Sequence, residues 1–270
     1  MAERYGFLTR LTDLLFPPRC AGCGEFLDFS KIGKSDALCT VCKPIWDAEK
    51  QEICGRCFEP VCQCECMTEL VEKAGCKTLC KLVYYRHGIR ATVQNQVVYR
   101  IKNQRDRRTH RFLANEIQSV LEQKLEKLGL PKENCVLVYI PRRKVAVLES
   151  GTDQGEELAR AISLRIGIPV CHCIARTKGK HKEQKKLTAQ GRLENVRSAF
   201  SIRNGTDLKG KTVFLVDDIV TTGASMTACA KKLKYAGAKE IYCICVASDN
   251  ANQYPDVAQP KKRADFTQTR

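Results

Sequence analysis

Phe214-Leu215-Val216-Asp217-Asp218-Ile219-Val220-Thr221-Thr222-Gly223-Ala224-Ser225 is the stretch from which the rest of the chain is parsed. Thr212 to Val216 is a short apolar run of β-formers, suited to a buried parallel strand. Asp217 and Asp218 stand at its carboxyl end. Adjacent carboxylates resist joint ionisation and a buried acid needs a partner, so such a pair is costly unless something outside the sheet uses it. A ribose diol or a magnesium-bound sugar phosphate would use both. Thr221, Thr222, Gly223, Ala224 and Ser225 follow and open a helical pattern through Ala230 and Leu233 to Gly237. Amides gathered where a strand hands over to a helix make an anion site. Alone, the acids would read as a helix cap and the glycine as relief for a turn. The composite of strand, paired acids, Thr-Thr-Gly and helix is far more specific.

Length and composition bound the remainder. The 270 residues accommodate one α/β domain of ordinary size plus a smaller module. No apolar run approaches the ~20 residues of a membrane span, and the N-terminus lacks the apolar core of a secretory signal. The expectation is a cytoplasmic protein. Over residues 1–19, Leu8, Leu11, Leu14 and Leu15 mark an amphipathic helix stopped by Pro17 and Pro18. The formal net charge of +16 points to polyanionic partners, nucleic acid or a phosphorylated ligand, although charge speaks to association and not to fold.

Seventeen cysteines are present, eleven of them between Cys20 and Cys80. In a chain expected in a reducing compartment, that clustering indicates metal. Cys20-x-x-Cys23 and Cys39-x-x-Cys42 have the spacing of a zinc ribbon, in which four thiolates close a tetrahedral structural site. A second set starts at Cys54-x-x-Cys57 and is completed from Cys62, Cys64 and Cys66; we assign Cys64 and Cys66, with Cys62 as the alternate. Residues 20–70 thus read as a double zinc ribbon holding two structural Zn2+ ions, a module that could hardly fold without metal. Cys76, Cys80, Cys135, Cys171, Cys173, Cys229, Cys243 and Cys245 lie in apolar contexts and read as small core residues.

Residues 79–248 alternate strands with helices, which predicts a mainly parallel sheet flanked by helices on both faces. Leu79–Tyr85 is the entry strand, followed by a helix through Val93, Val97 and Ile101. A second helix carries Phe112, Ile117, Leu121 and Leu125 and is stopped by Gly129. Between them, the basic run with Lys102, Arg105, Arg107 and Arg108 reads equally as a solvated helix end or as a phosphate-contacting surface, with nucleic acid as the candidate partner. Strand Cys135–Ile140 ends in Arg142-Arg143-Lys144, at the end of the sheet where ligands collect. A helix over Gln154–Ile166, a strand over Ile168–Cys173, a basic surface segment over Arg176–Lys186 and a last strand over Ile241–Ala247 complete the domain. The polar tail 249–270 is expected to be disordered.

The stretch VDDIVTTGAS resembles the signature with which type I phosphoribosyltransferases hold 5-phosphoribosyl-1-pyrophosphate (PRPP). Several further pieces stand in order with it: the cysteine ribbons, Tyr85-Arg86-His87-Gly88, Tyr99-Arg100-Ile101-Lys102, Gln184-x-x-Leu187, and Arg192-x-x-Asn195-Val196 with Ala199-Phe200. This order is similar to the ComF family, bacterial proteins associated with competence for DNA uptake. The resemblance implies a type I phosphoribosyltransferase-like domain behind a zinc ribbon. It implies that Asp217 and Asp218 hold ribose hydroxyls and that Thr221, Thr222, Gly223, Ala224 and Ser225 cradle the 5-phosphate. Ser150-Gly151-Thr152-Asp153-Gln154 departs from the family's Arg-Gly-Phe-Asn-Gln.

Two functions fit these residues. One is a binding protein for single-stranded DNA in competence-related uptake, which retains a PRPP site and works beside other competence proteins. The other is an active phosphoribosyltransferase, in which Mg2+ accompanies PRPP and Arg142, Arg143 and Lys144 neutralise the departing pyrophosphate. Aromatic residues make up only 7% of the chain, so stacking platforms for bases are sparse.

Overall fold

The computed structural model describes residues 17–28, 36–89, 91–103, 106–177 and 199–249. In chain order the elements are α1 (Cys42–Lys50), α2 (Glu69–Lys73), β1 (Leu79–Tyr85), α3 (Val93–Asn103), α4 (Arg107–Leu128) and β2 (Cys135–Tyr139). They continue with α5 (Lys144–Ser150), α6 (Gln154–Ile166), β3 (Ile174–Arg176), β4 (Phe200–Ile202), β5 (Thr212–Val220), α7 (Ala224–Tyr235) and β6 (Glu240–Asp249). The expected helix over 1–19, the basic segment beyond Thr177, the Gln184 to Val196 motif and the tail from 250 lie outside the described residues.

The main sheet has the order β1-β6-β5-β2, with every neighbouring pair parallel. β5 is therefore interior, with Tyr139 of β2 opposite Val216 on one side and Cys245 of β6 opposite Asp217 on the other. Side chains alternate across it, as the pleat requires. Phe214 and Val216 join Leu113, Ile117, Leu121 and Leu158 on one face, while Val213 and Leu215 join Met226, Cys229 and Leu233 on the other. Both faces are covered, as the apolar run predicts.

Two elements differ most from their expected extents. β5 does not stop at the acids but continues through them to Val220, because β6 keeps pace alongside, with Ile219 opposite Ala247 and Val220 opposite Ser248. The strand expected over 168–173 shrinks to a single bridge between Val170 and Leu137. Pro169 has no N–H, so that edge gains only its carbonyl's bond from Leu137 and the one that Cys171 donates to the Leu137 carbonyl. The strand proper, β3, begins at Ile174 and pairs antiparallel with β4.

The ribbons are not a separate bead. Trp46 of α1 is fully buried, sits edge-on to Phe112 of α4 with ring centroids 5.8 Å apart, and donates its indole N–H to Glu116 at 3.2 Å. Cys20, Ala21, Leu38 and Trp46 belong to the same apolar cluster as Leu113 and Phe214. The second ribbon lies along the outer edge of β1, where Leu79 N–H donates to the Glu65 carbonyl at 3.2 Å. An edge that would otherwise present unpaired backbone is thereby covered. Among the described residues, no helix is long and apolar enough to cross a membrane.

Candidate functional site: two thiol clusters and an acid pair beside a helix start

The eight assigned cysteines fall into two groups, Cys20, Cys23, Cys39 and Cys42, and Cys54, Cys57, Cys64 and Cys66, with the sulfurs of each group within 4.8 Å of one another. Cys62 stands outside both, reached by the Gln51 amide at 3.9 Å, with burial pushing its thiol up. Among the described residues, the sulfurs grouped with those of Cys54 and Cys57 are therefore those of Cys64 and Cys66. The two knuckles are built alike. Cys20 N–H donates to the Glu25 carbonyl at 2.7 Å and Cys54 N–H to that of Glu59 at 2.9 Å, and Gly24 and Phe58 close the equivalent turns with φ of 83° and 61°.

The donor set fits a thiolate-bound metal. Amides of Gly22 and Cys39 donate to the Cys20 sulfur at 3.3 Å, and the Cys66 amide donates to the Cys64 sulfur at 3.4 Å. Burial acts to raise Cys54, but hydrogen bonds from the Tyr84 hydroxyl and the Cys57 and Arg56 amides outweigh it and bring the thiol down to about 6. At Cys39, amides of Cys42 and Val41 likewise overcome burial and bring it to about 7. Lys81 supplies the clearest sign. Its ammonium is buried in β1 and donates to the Cys64 sulfur at 3.2 Å, the Cys66 carbonyl at 2.8 Å and the Cys64 carbonyl at 3.3 Å. A buried cation needs negative charge nearby, and four thiolates around a divalent ion provide it.

The second site is the acid pair. The Asp217 carboxyl accepts the Asp218 amide at 2.9 Å, and that of Asp218 accepts the Ile219 amide at 2.7 Å. Burial first, and then the neighbouring Asp218 charge, push Asp217 well above the usual carboxylate range. Lys102 of α3 places its ammonium 3.7 Å from Asp218. Arg176 of β3 is one of the charges felt by Asp217; burial, followed by the charge of Arg143, lowers its guanidinium. It lies over the Phe200 ring at 4.9 Å and donates to the Pro141 carbonyl at 3.3 Å. Cations from two elements, Lys102 of α3 and Arg176 of β3, thus converge on the acids.

Beyond β5, Thr221 and Thr222 are exposed, Ala224 and Ser225 are half-buried, and Gly223, at φ 77°, occupies the position where a side chain would cap α7. The Ala224 amide donates to the Thr222 hydroxyl at 3.4 Å, and the first amides of a helix that begins at a glycine suit an anion. Of the three cations after β2, Arg143 and Lys144 are exposed. Arg142 is instead committed inward, donating to the Lys102 carbonyl at 2.8 Å and to Gln154 Oε1, while its amide donates to Asp153 at 3.0 Å. Gln154, which keeps the residue of the family run, and Asp153, which departs from it, thus both hold Arg142.

The basic run divides. Lys102 faces the acid pair, Arg107 is exposed in the first turn of α4, Arg108 is half-buried there, and Arg105 lies outside the described residues. A groove of about 690 Å³ lies elsewhere, between the second ribbon and α4, lined by Arg56, Glu59, Cys62, Glu65, Lys124 and Lys127; it contributes nothing to the acid site. Sequence reasoning missed Lys81, Tyr84 and Arg176. A lone lysine in the apolar run Leu79–Tyr85 was the signal for the first. Arg176 was hidden at the head of a basic segment.

Comparison with known proteins adds the following. A family model described as the phosphoribosyl transferase domain matches residues 145–266. Competence protein F of Haemophilus influenzae is 24% identical over 225 residues, spanning 83% of this chain and 82% of that protein. A ribose-phosphate pyrophosphokinase of Staphylococcus epidermidis is 44% identical over 39 residues, which is 14% of this chain and 12% of that protein. Among solved structures, adenine phosphoribosyltransferase from Leishmania tarentolae matches at 16% identity with a TM-score of 0.33, covering 51% of this chain and 71% of that one.

Proposed function

We propose that this chain, a homologue of competence protein F built on a type I phosphoribosyltransferase fold, binds PRPP or a related ribose 5-phosphate at the β5–α7 turn and acts on single-stranded DNA during its uptake. The observation that carries the first half is the meeting of the acid pair, a helix start at Gly223 and cations from α3 and β3 at one end of the sheet. In open α/β sheets ligands collect at that end. Asp217 and Asp218 take the ribose hydroxyls, and amides and hydroxyls from Thr221 to Ser225 take the 5-phosphate. Arg143 and Lys144 face the pyrophosphate, while Arg142 holds α3 and α6 in place around it. Asp217 and Asp218 would lie beside a Mg2+ ion accompanying PRPP, which would supply charge neutralisation for the pyrophosphate.

Isothermal titration with PRPP and Mg2+ tests this. The wild type binds, and the Asp217→Asn, Asp218→Asn variant weakens binding about tenfold or more, the loss of charged hydrogen bonds worth about 1.5–3 kcal/mol. Equal affinity in the variant rejects the assigned site. The DNA half is supported by the net charge of +16, by the exposed Arg107 at the start of α4 and by the similarity to competence protein F. Single-strand affinity then falls steeply with salt, and neutralising Arg105, Arg107 and Arg108 together flattens the slope by about 2. Insensitivity to both contradicts it.

The second reading is turnover. Lys102 and Arg176 stand beside the acids and Arg143 acts on Arg176, a set of charges a transferase could use for an oxocarbenium-like transition state and a departing pyrophosphate, with positioning and charge as the protein's share. Release of pyrophosphate from PRPP in the presence of a nitrogen acceptor distinguishes it from binding alone.

A further inference from the structure

We infer that Thr68 and Val71 are positioning residues for the phosphate loop and tie its shape to the second thiol cluster; the inference rests on the ribose-phosphate reading of that loop. A Cβ built on Gly223 would lie 2.5 Å from both Thr68 Oγ1 and Val71 Cγ2. The loop's inner side therefore rests directly on the start of α2, while Thr221 and Thr222 remain exposed on its outer side. Gly223 is needed twice, for its φ of 77° and for this close approach.

The Thr68 hydroxyl donates to the Thr222 carbonyl at 3.3 Å. That carbonyl and the Gly223 N–H belong to one planar peptide unit. A donor fixed on the oxygen thus fixes the direction of the N–H, one of the amides assigned to the phosphate. Val71 is fully buried, in one cluster with Val220, Met226 and Cys229, and holds the support in place.

Thr68 is in turn two residues from a metal ligand, and the intervening carbonyls are held one by one. The Cys66 carbonyl accepts from Lys81 at 2.8 Å, the Met67 carbonyl accepts from Arg56 at 2.9 Å, and the Thr68 carbonyl accepts from the Val71 and Glu72 amides at 3.0 Å. Arg56 itself lies between the ligands Cys54 and Cys57. A shift of the second cluster is therefore passed to the loop by a short tether with little slack.

The test uses the full-length, zinc-loaded chain titrated with PRPP and Mg2+, with the Gly223 amide followed by NMR. Thr68→Val keeps the shape and removes the donor; it binds PRPP about fivefold more weakly, and the PRPP-induced shift of the Gly223 amide shrinks. Thr68→Ser keeps wild-type affinity and the full amide shift. Arg56→Met weakens binding in the same direction. Zinc content stays unchanged in all three variants, which separates positioning from loss of the ribbon. If the wild type binds PRPP and Thr68→Val matches it in affinity and amide shift, the inference is overturned while the ribose-phosphate reading stands. If the wild type does not bind, the reading falls and takes the inference with it.

Discussion

Asp217 carries opposite demands. Burial and the Asp218 charge hold its carboxyl well above the ordinary range, so the folded chain keeps a proton that the unfolded chain releases near pH 4. Stability from this group is greatest below the unfolded value and falls as pH rises toward the folded one. Asp217→Asn should therefore raise the melting temperature at neutral pH, with a gain over wild type that shrinks as the pH is lowered toward the unfolded value near 4. Parallel melts of the two proteins check this; a gain independent of pH would mean the carboxylate is not under that pressure. The acid pair and the Thr-Thr-Gly turn were legible in the sequence because a dozen contiguous residues carry the pattern. Arg176 was not, because what brings it to Asp217 is the pairing of β3 with β4 and the stacking on Phe200, contacts distant in sequence.

At the level of elements, β1 does more than open the sheet. Lys81 and Tyr84 both reach the second thiol cluster from it, so the strand supplies the ribbon's outer partners. Groups of this kind typically change metal affinity by about 10–100-fold. Lys81→Met should accordingly lose metal from the second cluster at chelator concentrations about tenfold lower than wild type, with the first cluster unaffected. Stepwise zinc release against a competing chelator reads both; simultaneous release in both proteins would show that Lys81 contributes nothing. Periodicity placed β1 and α6 at their observed bounds, Leu79–Tyr85 and Gln154–Ile166, because apolar spacing and the flanking glycines agree there. It failed at residues 168–173, where apolar composition suggested a strand but Pro169 limits the edge to one bridge. It also stopped β5 early, since charged residues inside a strand are unexpected until β6 is seen beside them.

In the whole molecule, the ribbon and the α/β domain share a core. Cys20, Leu38 and Trp46 pack in one cluster with Leu113 and Phe214, and Thr68 rests on the β5–α7 turn. Stripping both metals should therefore lower the melting transition of the entire chain rather than remove an independent early step; calorimetry showing an unchanged main transition after chelation would contradict a continuous core. Nothing in the cysteine spacing announced this, since spacing reports ligands and is silent about what the module leans on. The central claim is that the end of β5 is a ribose-phosphate site. Crystals of the full-length protein soaked with PRPP and Mg2+ test it most directly. The account predicts phosphate density against the amides of Thr221 to Ser225 with the ribose at Asp217 and Asp218; density confined to the groove between the second ribbon and α4, with the acid pair untouched, would contradict it.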